Sequence, residues 1–454
     1  MVRVRPNEVW FDSEEALKLI YNPVSGFEKS DFYLATVLTK PRVDWWLQPH
    51  FPDTLDLLSE RDRKRYRLQR RLIGPVYTIA NIKKYEKAID GVIARTIAQI
   101  QSLDGASVDL KEWMHIIAVE CLGAAVLSWS PGLLQKKTDG GSGGHGYLGW
   151  RKKSVFGLFP TIVLLDCLSK HLARPFVLLW NLGYAPPPNF KPFFTGIQRQ
   201  TKRRLIQLAK GQKLPHKDVF GDLIDVHREK PEFTLDYLKR MTITNFGAGH
   251  ETMASTLTSA VAMIASHPEV YSRVAEEVGQ ASKPSKYDNA VRLSYTSASI
   301  KESQRLHPVI GMSLSRKVPS SGMTIQGTRF PPGTTVGCCP ISLHRNPDIF
   351  GVDPDEFIPD RWLEAEDSRR MERSSLIWGG GSRTCPGRQL AELVVLKVIT
   401  ALFEKFYIEV EVPPEDEMPV YFMSMMSGVR ARFLERGGAG DGDGREDAEG
   451  GYTE

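Results

Sequence analysis

One long helical run constrains this chain most: it begins near Thr234 and continues to about Ser266, where His267-Pro268 ends it. A proline drives the residue before it out of the α region, so the run has a defined stop. Other helical signals surround it. Ser13-Glu14-Glu15 ahead of Ala16-Leu17-Lys18-Leu19-Ile20 has the pattern of a capped short helix. Arg61 to Ile73 is a strongly basic helical stretch, and Ile82 to Ile100 and Val108 to Leu127 carry helical patterns. Tyr295 to His307 is stopped by Pro308, and Arg388 to Phe403 is the last helix. After Pro308, Pro and Gly recur and short β-type runs such as Met323-Thr324-Ile325 alternate with turns. The expectation is a mainly α fold with small β-sheets (α+β).

The 454 residues would allow two or three domains by length alone, but no repeat or linker interrupts residues 1–436, so a single domain is expected there. Residues 437–454 are Gly, Asp and Glu with almost nothing apolar, which predicts a disordered tail. Asp139-Gly140-Gly141-Ser142-Gly143-Gly144 marks a loop. No stretch offers the roughly 18 apolar residues that a membrane span needs. Val155 to Leu165 and Phe176 to Leu182 come nearest but are interrupted or short, and Met1 to Pro6 has no apolar core behind its charges. The chain therefore reads as soluble or peripheral. The net charge of +5 is compatible with an acidic protein partner or an anionic surface and compels neither. Five cysteines, Cys121, Cys167, Cys338, Cys339 and Cys385, form no C-x-x-C pair, which argues for reducing surroundings and mostly buried thiols.

The segment richest in chemistry is Trp378-Gly379-Gly380-Gly381-Ser382-Arg383-Thr384-Cys385-Pro386-Gly387. A glycine-rich loop delivers one cysteine, with Pro386 at a helix start. Backbone N–H groups and the helix dipole there favour a thiolate. A lone cysteine beside a loop is usually structural, so three further motifs carry the decision. Glu302-Ser303-Gln304-Arg305 sets a carboxylate and a guanidinium on one helix face at i, i+3. Pro354 to Trp362 is a proline-braced segment carrying Arg361. The long helix contains Ala248-Gly249-His250-Glu251-Thr252, a small pair that makes room for a ligand, followed by an acid and a hydroxyl.

In order and spacing these motifs resemble the cytochrome P450 family, whose cysteine loop reads F-x-x-G-x-R-x-C-x-G. Gly381, Arg383, Cys385 and Gly387 match it, with Trp378 for the usual phenylalanine. Glu302 and Arg305 match the family's E-x-x-R helix, and Arg361 its third arginine, which together form a buried ionic network under the loop. The resemblance runs from Val4 to about Arg436. Val4-Arg5-Pro6-Asn7-Glu8 looks like a segment downstream of the membrane anchor in fungal members, so the expectation is a chain without the anchor, the proline-rich hinge and the first helix.

The resemblance implies the cytochrome P450 fold, with haem b between the long helix and the cysteine loop. Cys385 would be the axial thiolate, donating electron density that favours O–O cleavage. Arg383, Arg316, Tyr66 and Arg70 would contact the haem propionates. Glu251 and Thr252 would relay protons to iron-bound oxygen. His250 is expected on the helix surface rather than at iron. The substrate, a small apolar organic molecule, would be lined by Thr244, Ala248, Val309, Met312 and Phe422, with Tyr421 to Met425 nearby. The implied reaction is monooxygenation with O2 and electrons from NADPH-cytochrome P450 reductase, with cytochrome b5 as a further candidate donor, in fungal secondary metabolism. The rival readings are a haem-binding shortened paralogue without turnover and a peroxide isomerase or dehydratase. The basic run Arg61 to Arg67, with Arg388 and Lys397, would face the reductase. Interleaved Glu60 and Asp62 argue against nucleic acid. The implied location is the cytosolic face of the endoplasmic reticulum membrane by peripheral contact, or the cytoplasm for a chain without an anchor.

Overall fold

The computed structural model describes residues 1–36, 42–43, 49–50, 57–142, 191–212, 217–418 and 420–436. The apolar stretches at 155–165 and 176–182, Cys167 and the 437–454 tail lie outside the described residues. Labelling only the longer helices, α1 is Glu14–Ile20, α2 Arg63–Ile73, α3 Glu86–Gln101, α4 Leu110–Leu127, α5 Lys191–Ala209 and α6 Val219–Glu229. Then follow α7 Leu235–Ala265, α8 Pro268–Gln280, α9 Ser294–Leu306, α10 Ala365–Ser374 and α11 Arg388–Lys405. The strands are β1 Val2–Arg5, β2 Glu8–Phe11, β3 Glu28–Lys29, β4 Arg42–Val43, β5 Pro49–His50 and β6 Val108–Asp109. Further along lie β7 Arg316–Lys317, β8 Met323–Ile325, β9 Thr328–Phe330, β10 Thr335–Cys338, β11 Phe406–Glu411 and β12 Arg430–Glu435.

The helix starts follow side-chain capping. Ser13 Oγ accepts the Ala16 N–H at 3.3 Å, and Asp62 accepts the Arg65 N–H at 2.7 Å. Thr234 accepts the Tyr237 N–H at 3.3 Å and so starts α7. These bonds satisfy N–H groups that have no partner within the helix. Two boundaries differ from the sequence expectation. Val108-Asp109 is a strand on β12, with Asp109 capping α4 through the Glu112 N–H at 3.0 Å. Ile82 closes a separate short turn, and α3 starts at Glu86.

The long helix α7 runs through the main core and packs against α4, α9, α11 and α8. From Met253 on nearly every residue is buried, and α4 is equally enclosed. A fully buried Leu or Ile is worth about 1.5–3 kcal/mol, so the α4–α7 contact fixes the long helix in place. A five-stranded sheet of order β1-β2-β10-β7-β3 forms a second apolar cluster with α1. In that sheet β10 runs parallel to β2, and β3 pairs antiparallel with β7, setting Lys29 opposite Arg316. Among the described residues no helix is long and apolar enough to cross a membrane.

Candidate active site

The cysteine loop is a series of tight turns. Cys385 N–H donates to the Trp378 carbonyl at 2.8 Å and Gly379 N–H to Leu376 at 2.9 Å. Gly379 and Gly381 have φ of 78° and 59°, the left-handed region that favours glycine. A Cβ on Gly381 would stand 1.9 Å from the Tyr21 carbonyl oxygen. Gly381 is not part of the lining of the cavity described below; what requires a glycine there is the close approach of two backbones. Gly387 does line it, and its Cβ position is 4.0 Å from Cys385 Sγ. Pro386 lies two residues ahead of α11 rather than in its first turn.

Cys385 is exposed to the cavity, although the loop carries it deep into the molecule. Burial pushes its thiol up, against the Gly387 N–H, the Arg70 charge and the Arg388 N–H, which pull it down. The net direction is upward. A coordinated metal cation acts in the opposite sense, since it deprotonates a bound thiol.

On α9, Glu302 is saturated. Arg305 Nε and Nη2 donate to its two carboxylate oxygens at 2.8 Å each, and Arg361 Nε to Oε1 at 2.8 Å. Trp362 Nε1 and the Ile358 N–H complete the shell at 2.7 and 3.0 Å. The remaining Arg305 nitrogen reaches backbone carbonyls of His344 and Pro354. Glu302 and Arg305 have no solvent exposure. Bidentate charge-assisted bonds with every acceptor filled are the condition under which a buried ion pair repays its desolvation.

A cavity of about 350 Å³ lies between this loop and α7. Cys385, Gly387, Trp378 and Arg383 line it from the loop; Thr244, Ala248, Glu251 and Thr252 line it from α7; Val309 and Phe422 close a side. Arg70 and Met312, both expected at the site, are not part of this lining. The Arg70 charge favours ionisation of Cys385 and Tyr66, against burial, and Met312 packs against the cluster of Phe422, Met423 and Met425.

One end of the cavity is cationic. Arg316 donates to the Leu314 carbonyl at 2.9 Å and the Tyr33 hydroxyl at 3.3 Å. Arg383 donates to the carbonyls of Glu60 and Arg61 at 2.7 and 3.2 Å, and its guanidinium lies 3.6 Å from the centre of the Tyr66 ring. Tyr66 donates to the Ser382 carbonyl at 3.0 Å. Burial pushes Arg383 down to about 10, with Arg316 pushing the same way against Tyr66. Among the described residues no carboxylate ion-pairs with Arg316 or Arg383. Lys29 and Tyr33 also line this end; sequence reasoning missed both. Two or three buried cations beside a thiol and apolar walls fit a large, flat, dianionic group with a metal at its centre.

The α7 residues also differ from expectation in detail. Gly249 lines the cavity, and it also lets α4 come close: Leu122 lies 3.0 Å from where a Cβ would be. Thr252 Oγ1 donates to the Ala248 carbonyl at 2.7 Å. Glu251 is 3% exposed. His250, expected on the helix surface, is buried instead and bonded to His115. Lys397, expected on the docking face, is buried between Glu86 and Asp90 at 2.7 Å from each.

This geometry defines a prosthetic-group protein in which one cysteine faces a long helix across a cavity with cations at one end. A family model, Cytochrome P450, matches residues 40–431. The chain belongs to the cytochrome P450 family, so its cofactor is haem with a cysteine thiolate and it is a monooxygenase. It is 55% identical to "Cytochrome P450 monooxygenase sdnT" of Sordaria araneosa, over 96% of this chain and 84% of that protein. It is 26% identical to a pisatin demethylase of Fusarium vanettenii, over 90% of this chain and 78% of the relative. A third relative, "Cytochrome P450 monooxygenase gsfF" of Penicillium aethiopicum, is 25% identical over 96% and 86%.

Proposed function

We propose that Cys385 is the axial ligand of haem b, and that the chain inserts one oxygen atom of O2 into an apolar organic substrate of fungal secondary metabolism. The observation that carries this reading is the Cys385 thiol opening onto the cavity opposite Ala248, Glu251 and Thr252. Haem bound there supplies dioxygen activation, with electron donation from the thiolate favouring O–O cleavage.

The residues around it have distinct tasks. Arg316, Arg383 and Lys29 hold the two propionates, and Tyr66 orients Arg383 by stacking beneath it. Thr244, Ala248, Val309, Phe422 and Met423 enclose an apolar substrate and exclude water. Glu251 holds a proton at its carboxyl for delivery. The Thr252 hydroxyl, while donating to Ala248, offers lone pairs that position a water; it becomes a donor when that bond is released. The exposed face of α2, with Lys64, Arg67 and Arg71, suits an acidic NADPH-dependent reductase. By family resemblance this takes place at the cytosolic face of the endoplasmic reticulum membrane.

The test is turnover under 18O2 with NADPH, a fungal reductase and a panel of lipophilic compounds. One 18O atom per product molecule is expected. An organic peroxide that is itself rearranged or dehydrated without NADPH, with no second compound oxidised, would instead identify an isomerase or dehydratase.

A further inference from the structure

Three buried polar side chains on separate parts of the chain make one hydrogen-bonded line. Asp139, following α4, has Oδ2 2.7 Å from His115 Nδ1. His115 Nε2, on α4, lies 2.8 Å from His250 Nδ1 on α7. Their exposures are 4%, 1% and 1%. His250 lines the cavity and immediately precedes Glu251. An ionised carboxylate only accepts hydrogen bonds, so His115 donates its Nδ1–H to Asp139. Its Nε2 is then the atom that shares a proton with His250.

We propose that Asp139, His115 and His250 form a proton store that discharges into the cavity beside Glu251; this rests on the reading of Glu251 and Thr252 as the site where protons are consumed. In the loaded state His115 is an imidazolium, donating Nδ1–H to Asp139 and Nε2–H to Nδ1 of His250, whose own proton is on Nε2. On discharge the His250 Nε2 proton leaves for the cavity, and the His115 Nε2 proton moves to His250 Nδ1. Both rings end neutral, Asp139 stays a carboxylate, and one proton released matches one positive charge removed. Between turnovers the reverse moves refill the store from cavity water.

The surroundings agree with where this places the charge. Burial and then His115 push His250 far below its ordinary value, against Asp139, so the ring next to the cavity stays neutral. Lys111 on α4 feels Asp109, Glu251 and Asp139 together, which puts the two ends of the relay in one electrostatic neighbourhood. Glu112 accepts the Asp139 N–H at 3.0 Å and fixes that residue's backbone.

The test uses the full haem-loaded chain with His115→Gln, Asp139→Asn and His250→Gln, which keep polar contacts but lose the titrating group. The reduced, carbon-monoxide-bound spectrum is recorded first. A wild type lacking the thiolate-type band overturns the haem-thiolate reading and this inference with it; the remaining outcomes bear on the inference alone. Histidine 15N NMR of that diamagnetic state is expected to show a far-downfield His115 Nδ1 proton, lost in Asp139→Asn with a tautomer change at His250. Unchanged His250 ring shifts in that variant overturn the store. NADPH-driven oxygen consumption with a reductase, in water and heavy water, is expected to slow about tenfold in His115→Gln with a larger solvent isotope effect. An unchanged rate and isotope effect overturn it. Should His115→Gln fail to hold haem, Asp139→Asn gives the same readout, and loss of haem from all three variants makes the line purely structural and overturns the proposal.

Discussion

Two buried polar networks flank the cavity, and they differ in whether a proton can move within them. Around Glu302 the partners are Arg305, Arg361, Trp362 and a backbone N–H, none of which loses a proton at accessible pH. Even the histidine there is locked: Leu376 N–H donates to His344 Nε2, leaving Nδ1 to donate to the Arg305 carbonyl. Across the cavity, His115 and His250 meet nitrogen to nitrogen, and either ring can hold the proton between them. A network saturated by permanent donors holds a loop in one geometry; a network of ring nitrogens can change its charge without moving its atoms.

The largest effect expected from this contrast is on the saturated side. Glu302→Gln strands two guanidinium groups, at about 3–5 kcal/mol of stability. Chemical denaturation and haem retention measure it, and a loss below about 1 kcal/mol would remove the distinction between the networks. On the other side, Glu251→Gln should leave folding and haem binding intact and slow product formation about a hundredfold, as for a lost general acid. A matching loss of stability would make Glu251 a structural residue as well.

Acid should act on both sides of the cavity, by a smaller margin. Burial pushes His307 down to about 4 and His344 down to about 3, and pushes His250 well below its ordinary 6.5. The unfolded chain therefore takes up protons first as pH falls below about 6.5, and stability drops until the folded-state values are reached. The slope is at most about 1.4 kcal/mol per pH unit for each such histidine. Stability that is flat between about pH 6 and about pH 4 would contradict the buried neutral rings. The smallest effect belongs to the surface: Lys64→Glu with Arg67→Glu should weaken reductase coupling severalfold at low salt, and the difference should shrink as salt is added. A salt-independent loss would place the reductase elsewhere.

Legibility in the sequence followed the distance between partners. Glu302 and Arg305 share one helix at i, i+3, so the chain itself displays the pair. The cysteine loop is likewise one contiguous segment. Lys29 joins the cationic end only because β3 pairs with β7, a pairing of two-residue strands that carries no periodic signal. Asp139 and His115 are 24 positions apart and His115 and His250 135, so no local spacing could link them. His250 read as a surface residue for that reason, and Lys397 read as a docking cation because its burial depends on acids from α3. Gly381 was legible as necessary but not why: the Tyr21 carbonyl that excludes a Cβ comes from the far end of the chain.

The central claim is that Cys385 holds haem iron as a thiolate. The most direct measurement is the absorption spectrum of the reduced, carbon-monoxide-bound protein beside Cys385→Ser. A strongly red-shifted Soret band in the wild type, absent from the variant, is the predicted result. A wild-type band at the position of histidine-ligated haem, or a band that survives in Cys385→Ser, would contradict it.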